Sequence, residues 1–113
     1  NVIKKNLLKN QIKKKYDVVT LNKVLEHINN PFLFMNSINK ILKDNGTVYL
    51  EVPDTIRASK LGYEREEFFV EHLHGFSKKS LKFMFDQTNF KMKLIKNIKE
   101  PSGKFTTYCF LTK

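Results

Sequence analysis

The stretch Tyr16-Asp-Val-Val-Thr-Leu-Asn-Lys-Val-Leu-Glu-His27, with its partner Thr47-Val-Tyr-Leu-Glu-Val-Pro-Asp54, decides the fold of this chain. Each begins with a short apolar run rich in β-branched residues, which predicts strands over Tyr16–Leu21 and Thr47–Val52. The first run is apolar on both faces, as in a buried parallel strand. Each run then leads into polar residues, Glu26-His27 in one case and Pro-Asp in the other.

A helix is predicted between the two strands. Asn30 is a suitable N-cap and Pro31 a suitable first helical residue, since proline lacks the N–H that a first turn leaves unpaired. Asp44-Asn45-Gly46 is predicted to end the helix with a residue at positive φ. The result is a βαβ unit with parallel strands, whose polar residues gather at the carboxyl edge of the sheet, where open α/β sheets bind ligands.

The second half of the chain predicts a further helix and a hairpin. Ser77 is the expected N-cap of that helix, and Phe105 to Leu111 alternates as a strand does. Pro101-Ser-Gly103 is the expected turn between this strand and the one before it. Residues 1–15 form a basic lead-in, in which Val2 to Leu8 could be a remnant strand.

Composition limits the class of protein. With 113 residues and 41% apolar content the chain suits one domain. The single cysteine, Cys109, excludes an intrachain disulfide, and no run is long and apolar enough to cross a membrane, so we expect a cytoplasmic protein without membrane contact. The net charge of +10 comes almost entirely from scattered lysines. Nucleic acid is therefore an unlikely partner, because base and phosphate readers rely on arginine.

Four motifs in order resemble the C-terminal half of a class I S-adenosylmethionine-dependent methyltransferase, over residues 16–113. They are Tyr16-Asp-Val-Val with Val24-Leu-Glu-His27, Asn45-Gly-Thr-Val-Tyr-Leu-Glu-Val-Pro53, Glu71-His-Leu-His-Gly-Phe-Ser77 and the terminal hairpin. The resemblance implies an α/β fold: a partial Rossmann-like sheet with the parallel fourth and fifth strands of the family, a C-terminal antiparallel hairpin and flanking helices.

The resemblance also implies S-adenosylmethionine as cofactor and a small molecule or glycan precursor as methyl acceptor. The family holds its cofactor mainly on a glycine-rich turn. The glycines of this chain, Gly46, Gly62, Gly75 and Gly103, are too far apart to build that turn. The chain would thus supply one wall of the cofactor cleft and bind the cofactor poorly by itself.

Candidate site residues follow from the same resemblance. Thr20, Leu21 and Asn22 correspond to residues that line the methionine end of the cofactor, or they serve only as a strand end and turn.

Three histidines are candidate bases, because imidazole accepts a proton near neutral pH. The resemblance implies that His27 lies at the mouth of the cleft, and His72 and His74 would share one face of an extended segment with Leu73 turned to the core. The alternative is that each is a loop histidine bonded to backbone.

Glu51 and Asp54 are candidates for substrate contact, because a carboxylate is costly in a buried strand. Glu51 could equally face solvent.

A metal is not expected. Glu26, His27, His72 and His74 offer suitable donor atoms, but Lys23 takes the position of a carboxylate found in metal-binding members of the superfamily, and a lysine repels a cation.

Two other functions remain open. The chain could be a catalytically silent interaction module that associates with itself or with a partner strand through the edge at Tyr16–Leu21. It could, with less support, be a basic nucleic-acid-binding domain. The methyltransferase interpretation requires the Glu26-His27 corner and the His72/His74 segment to lie at the same end of the molecule.

Overall fold

The computed structural model describes residue 2, residues 4–9 and residues 12–113. Within these ranges it has one four-stranded sheet in the order β1-β2-β4-β3. The strands are β1 (Tyr16–Asn22), β2 (Leu42–Pro53), β3 (Lys91–Lys99) and β4 (Phe105–Thr112). The helices are α1 (Pro31–Ile41), α2 (Thr55–Ser59) and α3 (Lys78–Asp86), with 3-10 turns at Leu25–His27 and Glu66–Phe68. The predicted α/β fold is confirmed.

Strands β1 and β2 are parallel, with Thr20 opposite Tyr49 and Asn22 opposite Glu51. Helix α1 makes the crossover between them, and its start is the one predicted: the Asn30 side chain accepts a hydrogen bond from the Leu33 N–H at 3.0 Å. The polar residues after β1 therefore emerge beside the end of β2.

The predicted glycine end of α1 is wrong. The helix ends at Ile41 and β2 begins at once, so Asp44-Asn45-Gly46 lies within a bulged part of the strand. Positive φ among the described glycines occurs at Gly62 and Gly103, and not at Gly46. Glycine is needed at 46 because a Cβ there would lie 2.7 Å from the Leu42 side chain.

The C-terminal half folds as predicted. Strand β4 pairs antiparallel with both β2 and β3, and Ser77 caps α3 in a capping box with Ser80. Helices α1 and α3 cover one face of the sheet. The main buried residues of this core are Leu21, Met35, Ile38, Val48, Leu50, Val52, Leu81, Phe85, Cys109 and Leu111.

Strand β1 lies at the edge of the described sheet, and the exposure of its residues corrects the expectation that the strand is buried on both faces. Val18, on its outer part, is 60% exposed. The face of the sheet opposite α1 and α3 carries the aromatic contacts of Tyr49 with Tyr108 and Phe110, with ring centroids 6.1 and 5.1 Å apart.

The described lead-in residues form a turn at Leu7–Lys9 and contain no strand. Ile3, inside the segment that could be a remnant strand, lies outside the described residues, as do Asn1, Asn10 and Gln11. Leu7 and Ile12 pack against the core. None of the helices in the described ranges has the length and apolar character needed to span a bilayer.

Candidate active site

The turn that follows β1 places the first candidate residues. Lys23 has a φ of 55°, a left-handed conformation that turns the chain out of the strand, and its N–H donates to the Glu51 carbonyl at 3.1 Å. The 3-10 turn Leu25–His27 follows directly. Glu26 and His27 therefore lie at the carboxyl end of the parallel pair.

The segment around His72 is tied to this corner by backbone hydrogen bonds. The Glu26 carbonyl accepts from the Leu73 N–H at 2.8 Å and from the His74 N–H at 3.2 Å. The His27 Nδ1 atom lies 2.9 Å from the Glu71 carbonyl oxygen. The corner and the segment thus meet at one end of the molecule, as the methyltransferase interpretation requires.

Leu73 does not turn to the core, contrary to the expectation from an extended segment. Its side chain is 52% exposed. Consecutive N–H groups point to opposite sides in a regular strand. Here those of Leu73 and His74 both reach the Glu26 carbonyl, so the alternation is broken.

The histidine tautomers follow from their partners, because a carbonyl oxygen can only accept a hydrogen bond. His27 donates from Nδ1 to Glu71, and His72 donates from Nδ1 to the Glu67 carbonyl at 3.0 Å. In neutral form both rings keep a lone pair on Nε2. His74 instead donates from Nε2 to the Ile28 carbonyl at 2.9 Å, so its lone pair is on Nδ1.

Glu26, His27 and His72 form a compact cluster. The two rings are 4.8 Å apart between centroids, and the Glu26 Oε1 atom lies 3.8 Å from the His27 Nε2 atom. One donor atom from each of the three residues lies within 4.8 Å of the others. Glu26 is fully buried, and neither of its carboxylate oxygens has a hydrogen-bond partner in the described part of the chain.

The cluster borders a cavity of about 260 Å³. The residues that line it are Lys23, Glu26, His27, Pro53, Glu66, Glu67, Phe69, Glu71, His72, Lys104 and Phe105. His74 is not among them, so the structure brings two of the three predicted histidines to the cavity.

Lys23 is held on the side of β4. Its Nζ atom lies 3.3 Å from Glu100 Oε1 and donates to the Thr106 hydroxyl. The hydrogen bond from Thr106 and the charge of Lys23 lower the pKa of Glu100, against the effect of burial. The ammonium group of Lys23 is therefore paired with a carboxylate other than Glu26.

Glu67 fixes the opposite wall. It is buried, its oxygens accept from the Arg65 guanidinium at 2.9 and 3.1 Å, and Oε1 also accepts from the Phe105 N–H at 3.1 Å. Burial alone would raise the pKa of Glu67, but these hydrogen bonds and the Arg65 charge lower it. The sequence pattern did not reveal this wall, because nothing in the acidic run Glu64–Glu67 indicates a contact with β4.

The carboxylates predicted to bind substrate both have partners elsewhere. Asp54 is buried, caps α2 through the Arg57 N–H at 3.2 Å, and accepts a hydrogen bond from the Asn97 amide. Glu51 accepts from the Tyr49 hydroxyl at 2.5 Å, and burial together with this carboxylate raises the pKa of Tyr49 to about 12. Neither carboxylate lines the cavity, and a role in substrate binding remains a prediction.

The predicted cofactor residues end strand β1. Leu21 is buried in the core, whereas Thr20 and Asn22 are exposed on the edge strand. A hydroxyl and an amide are thus presented to solvent next to the corner that carries the cluster.

Several solved structures with the same fold are methyltransferases. The 1,6-didemethyltoxoflavin-N1-methyltransferase of Burkholderia thailandensis, solved with S-adenosylhomocysteine, matches with a TM-score of 0.75 and 12% identity over 98% of this chain and 49% of its own. An S-adenosylmethionine-dependent methyltransferase of Clostridium acetobutylicum matches with a TM-score of 0.69 and 9% identity over 96% of this chain and 62% of its own. The magnesium protoporphyrin IX methyltransferase of Synechocystis, also solved with S-adenosylhomocysteine, matches with a TM-score of 0.66 and 10% identity over 96% of this chain and 49% of its own.

The chain spans about half the length of the first of these structures. No curated protein sequence matches it significantly. A family model described as a methyltransferase domain matches residues 4–94, which is most of the chain. This 113-residue chain therefore belongs to the methyltransferase domain family and has the fold of S-adenosylmethionine-dependent methyltransferases.

Proposed function

We propose that this chain forms the acceptor-side part of an S-adenosylmethionine-dependent methyltransferase that acts on a small molecule or a glycan precursor. The observation that carries the proposal is the meeting of His27 and His72 over a cavity at the carboxyl ends of β1 and β2. Ligands of open α/β sheets bind at this edge. Membership of the methyltransferase family supports the type of reaction.

Thr20, Leu21 and Asn22 would line the methionine end of the cofactor. The exposed hydroxyl of Thr20 and amide of Asn22 suit the charged amino-acid end of S-adenosylmethionine, which needs hydrogen-bonding partners. When bound, this cofactor supplies an electrophilic methyl group. Because the chain has no glycine-rich turn, we expect it to bind the cofactor weakly without further contacts.

The acceptor would be activated by the histidines of the cavity. An acceptor hydroxyl gives its proton to a lone pair on Nε2 of His27 or His72. The deprotonated acceptor oxygen would then be the nucleophile for the methyl group that bound S-adenosylmethionine would supply, with S-adenosylhomocysteine as the other product. We do not extend this role to His74, since its Nε2 atom donates to Ile28 and it does not line the cavity.

The size and lining of the cavity support a small polar acceptor. A volume of about 260 Å³ is near the lower limit for ligand pockets. Phe69 and Phe105 offer apolar contacts, while Lys104 and Glu71 offer charged ones. A metabolite or a single sugar ring would suit this combination.

Calorimetric titration with S-adenosylhomocysteine tests the proposal. We expect weak, saturable binding that Asn22→Ala reduces several-fold, because this change removes an amide from the methionine end. Asn45→Ala is the matched control, since Asn45 is an exposed asparagine at the opposite end of the parallel strands. Equal binding by both variants would contradict the assignment.

The exposed edge of β1 supports a second candidate, a methyltransferase-like module that binds a copy of itself or a partner strand. Edge strands present unpaired backbone groups that recruit further strands. Val18 adds an apolar side chain to this edge. Self-association without binding of S-adenosylhomocysteine would favour this function over catalysis.

A further inference from the structure

The buried carboxylate of Glu26 lacks a hydrogen-bond partner among the described residues. The residue is fully buried, and neither oxygen accepts a hydrogen bond from any described residue. A buried charge without a partner is strongly unfavourable, so such groups ordinarily pair with a cation or bind a metal. The His27 Nε2 atom lies 3.8 Å from Glu26 Oε1, which is beyond hydrogen-bonding distance.

Two imidazoles offer lone pairs beside this carboxylate. His27 and His72 each donate from Nδ1 to a backbone carbonyl, at 2.9 and 3.0 Å, which fixes the ring and leaves Nε2 as an acceptor. Histidines that bind metals are usually held in this way, with the second nitrogen donating to a carbonyl or carboxylate. The rings are therefore oriented for coordination before any ion arrives.

We propose that Glu26, His27 and His72 form a binding site for a divalent first-row transition-metal ion. Their donor atoms lie within 4.8 Å of one another. Metal–ligand bonds of about 2.0–2.1 Å in tetrahedral geometry separate the ligand atoms by about 3.4 Å, so the donors need to close by up to about 1.4 Å. Two imidazole nitrogens with one carboxylate favour Zn²⁺ or Fe²⁺ over Mg²⁺, which prefers oxygen ligands.

In the structure the Lys23 ammonium group has partners other than Glu26. The lysine was expected to repel a cation from this site. Its ammonium group is instead paired with Glu100 at 3.3 Å and bonded to the Thr106 hydroxyl. The charge of Lys23 is thus compensated by Glu100, while the carboxylate of Glu26 accepts no hydrogen bond from the described residues.

Three protein ligands leave a coordination position open towards the cavity, as in catalytic metal sites. This part of the inference rests on the proposed methyl transfer at this cavity, and in it the ion takes over from the histidines the activation of the acceptor. An acceptor with an oxygen donor would bind the ion there, and the ion would lower the pKa of its hydroxyl. The proton would then pass to water, because the Nε2 lone pairs of His27 and His72 would be used for coordination.

Titration of the purified chain with Co²⁺ tests the site, because coordination changes the visible absorption spectrum of this ion. Glu26→Gln removes the charged ligand while keeping the shape of the side chain. His72→Asn removes Nε2 but keeps a donor near the position of Nδ1. His74→Gln is the matched control, since it changes a neighbouring histidine outside the cluster and keeps a donor near the position of Nε2.

We expect one Co²⁺ to bind each chain and to be displaced by Zn²⁺ but not by Mg²⁺. Glu26→Gln and His72→Asn should each weaken binding at least about tenfold, and His74→Gln should change it less than about twofold. Without metal, the melting temperatures of the wild-type chain and of Glu26→Gln serve as the reference. Zn²⁺ should raise the melting temperature of the wild-type chain and leave that of Glu26→Gln unchanged.

The absence of saturable binding, or an equal loss in His72→Asn and His74→Gln, would overturn the site. Circular dichroism of each variant shows whether a loss of binding reflects a loss of fold. The assay uses no cofactor, so its failure is separate from failure of the proposed function, which titration with S-adenosylhomocysteine measures.

Discussion

The imidazole rings of His27 and His72 meet edge to face, with centroids 4.8 Å apart and planes inclined by 74°. One ring follows β1 and the other lies in the irregular segment before α3. Each ring has its Nδ1 atom bonded to a backbone carbonyl, and both neutral rings leave Nε2 free beside the carboxylate of Glu26. This arrangement is the basis for two alternative ways of activating the acceptor, by a histidine base or by a metal ion that occupies the same Nε2 lone pairs.

Two substitutions of His74 test whether its hydrogen bond to Ile28 stabilises the fold. Its Nε2–H donates to the Ile28 carbonyl and helps to hold the segment against the corner. We expect His74→Ala to lower the free energy of unfolding by about 1 kcal/mol, the usual contribution of one hydrogen bond. His74→Gln should recover much of the loss, because its amide can donate to the same carbonyl. Urea denaturation measures both; equal losses would argue against the hydrogen bond as the cause.

Glu67 should make the fold sensitive to acid. The pKa of this carboxyl is lowered from 4.5 because its bonds to Arg65 and Phe105 outweigh the effect of burial. A lowered folded-state pKa means that the carboxylate stabilises the fold fully above about pH 4.5 and loses this effect as the pH falls through the folded-state value. We expect Glu67→Gln to cost about 2 kcal/mol at neutral pH.

The difference in unfolding free energy between wild type and Glu67→Gln should therefore shrink on acidification. Glu66→Gln is the matched control, since the Glu66 side chain is 42% exposed and pairs with Lys104 at the surface. Its effect should stay within about 0.5 kcal/mol, as for other exposed pairs. A difference for Glu67→Gln that does not change with pH would contradict the assigned role.

Much of the fold could be predicted from local chemistry. The apolar run of β1, the Asn30 cap and the Ser77 cap depend on neighbouring residues, and all three lie where the sequence places them. The misassigned turn at Gly46 shows the limit of this reasoning. Glycine is required at position 46 because the Leu42 side chain leaves no room for a Cβ atom. The sequence alone does not distinguish this requirement from a requirement for positive φ.

The site could be predicted only in part, because its decisive contacts are distant in sequence. The family resemblance placed His27, His72 and His74 at one cleft, and two of the three line the cavity. The pairing of Lys23 with Glu100, by contrast, depends on how the β3–β4 hairpin lies beside β2. The hydrogen bonds that set the histidine tautomers go to backbone carbonyls, which no side-chain pattern encodes.

Cys109 should report the integrity of the core. Burial raises the pKa of its thiol to about 12, and the side chain is fully buried in β4. Because the thiolate is the reactive form, we expect very slow reaction with Ellman's reagent at neutral pH in the folded chain and rapid reaction in urea. Ser102→Cys supplies an exposed thiol in the hairpin turn as a control. Rapid reaction of Cys109 in the folded chain would contradict its burial.

The edge of β1 should control self-association. Val18→Lys places a charge on this edge, a common device against strand pairing. We expect it to reduce concentration-dependent association in sedimentation velocity experiments. Ile56→Lys is the matched control, since Ile56 is 56% exposed on α2, away from the sheet edge. Equal behaviour of the two variants would show that association does not use this edge.

We propose that the ends of β1 and β2 form one wall of a cofactor and acceptor cleft. The most direct measurement is a two-dimensional NMR titration of the isotope-labelled chain with S-adenosylhomocysteine. We expect saturable amide shifts confined to Thr20, Leu21 and Asn22 and the adjoining corner at Glu26 and His27. Shifts confined to the opposite end of the strands, or none at millimolar ligand, would contradict it.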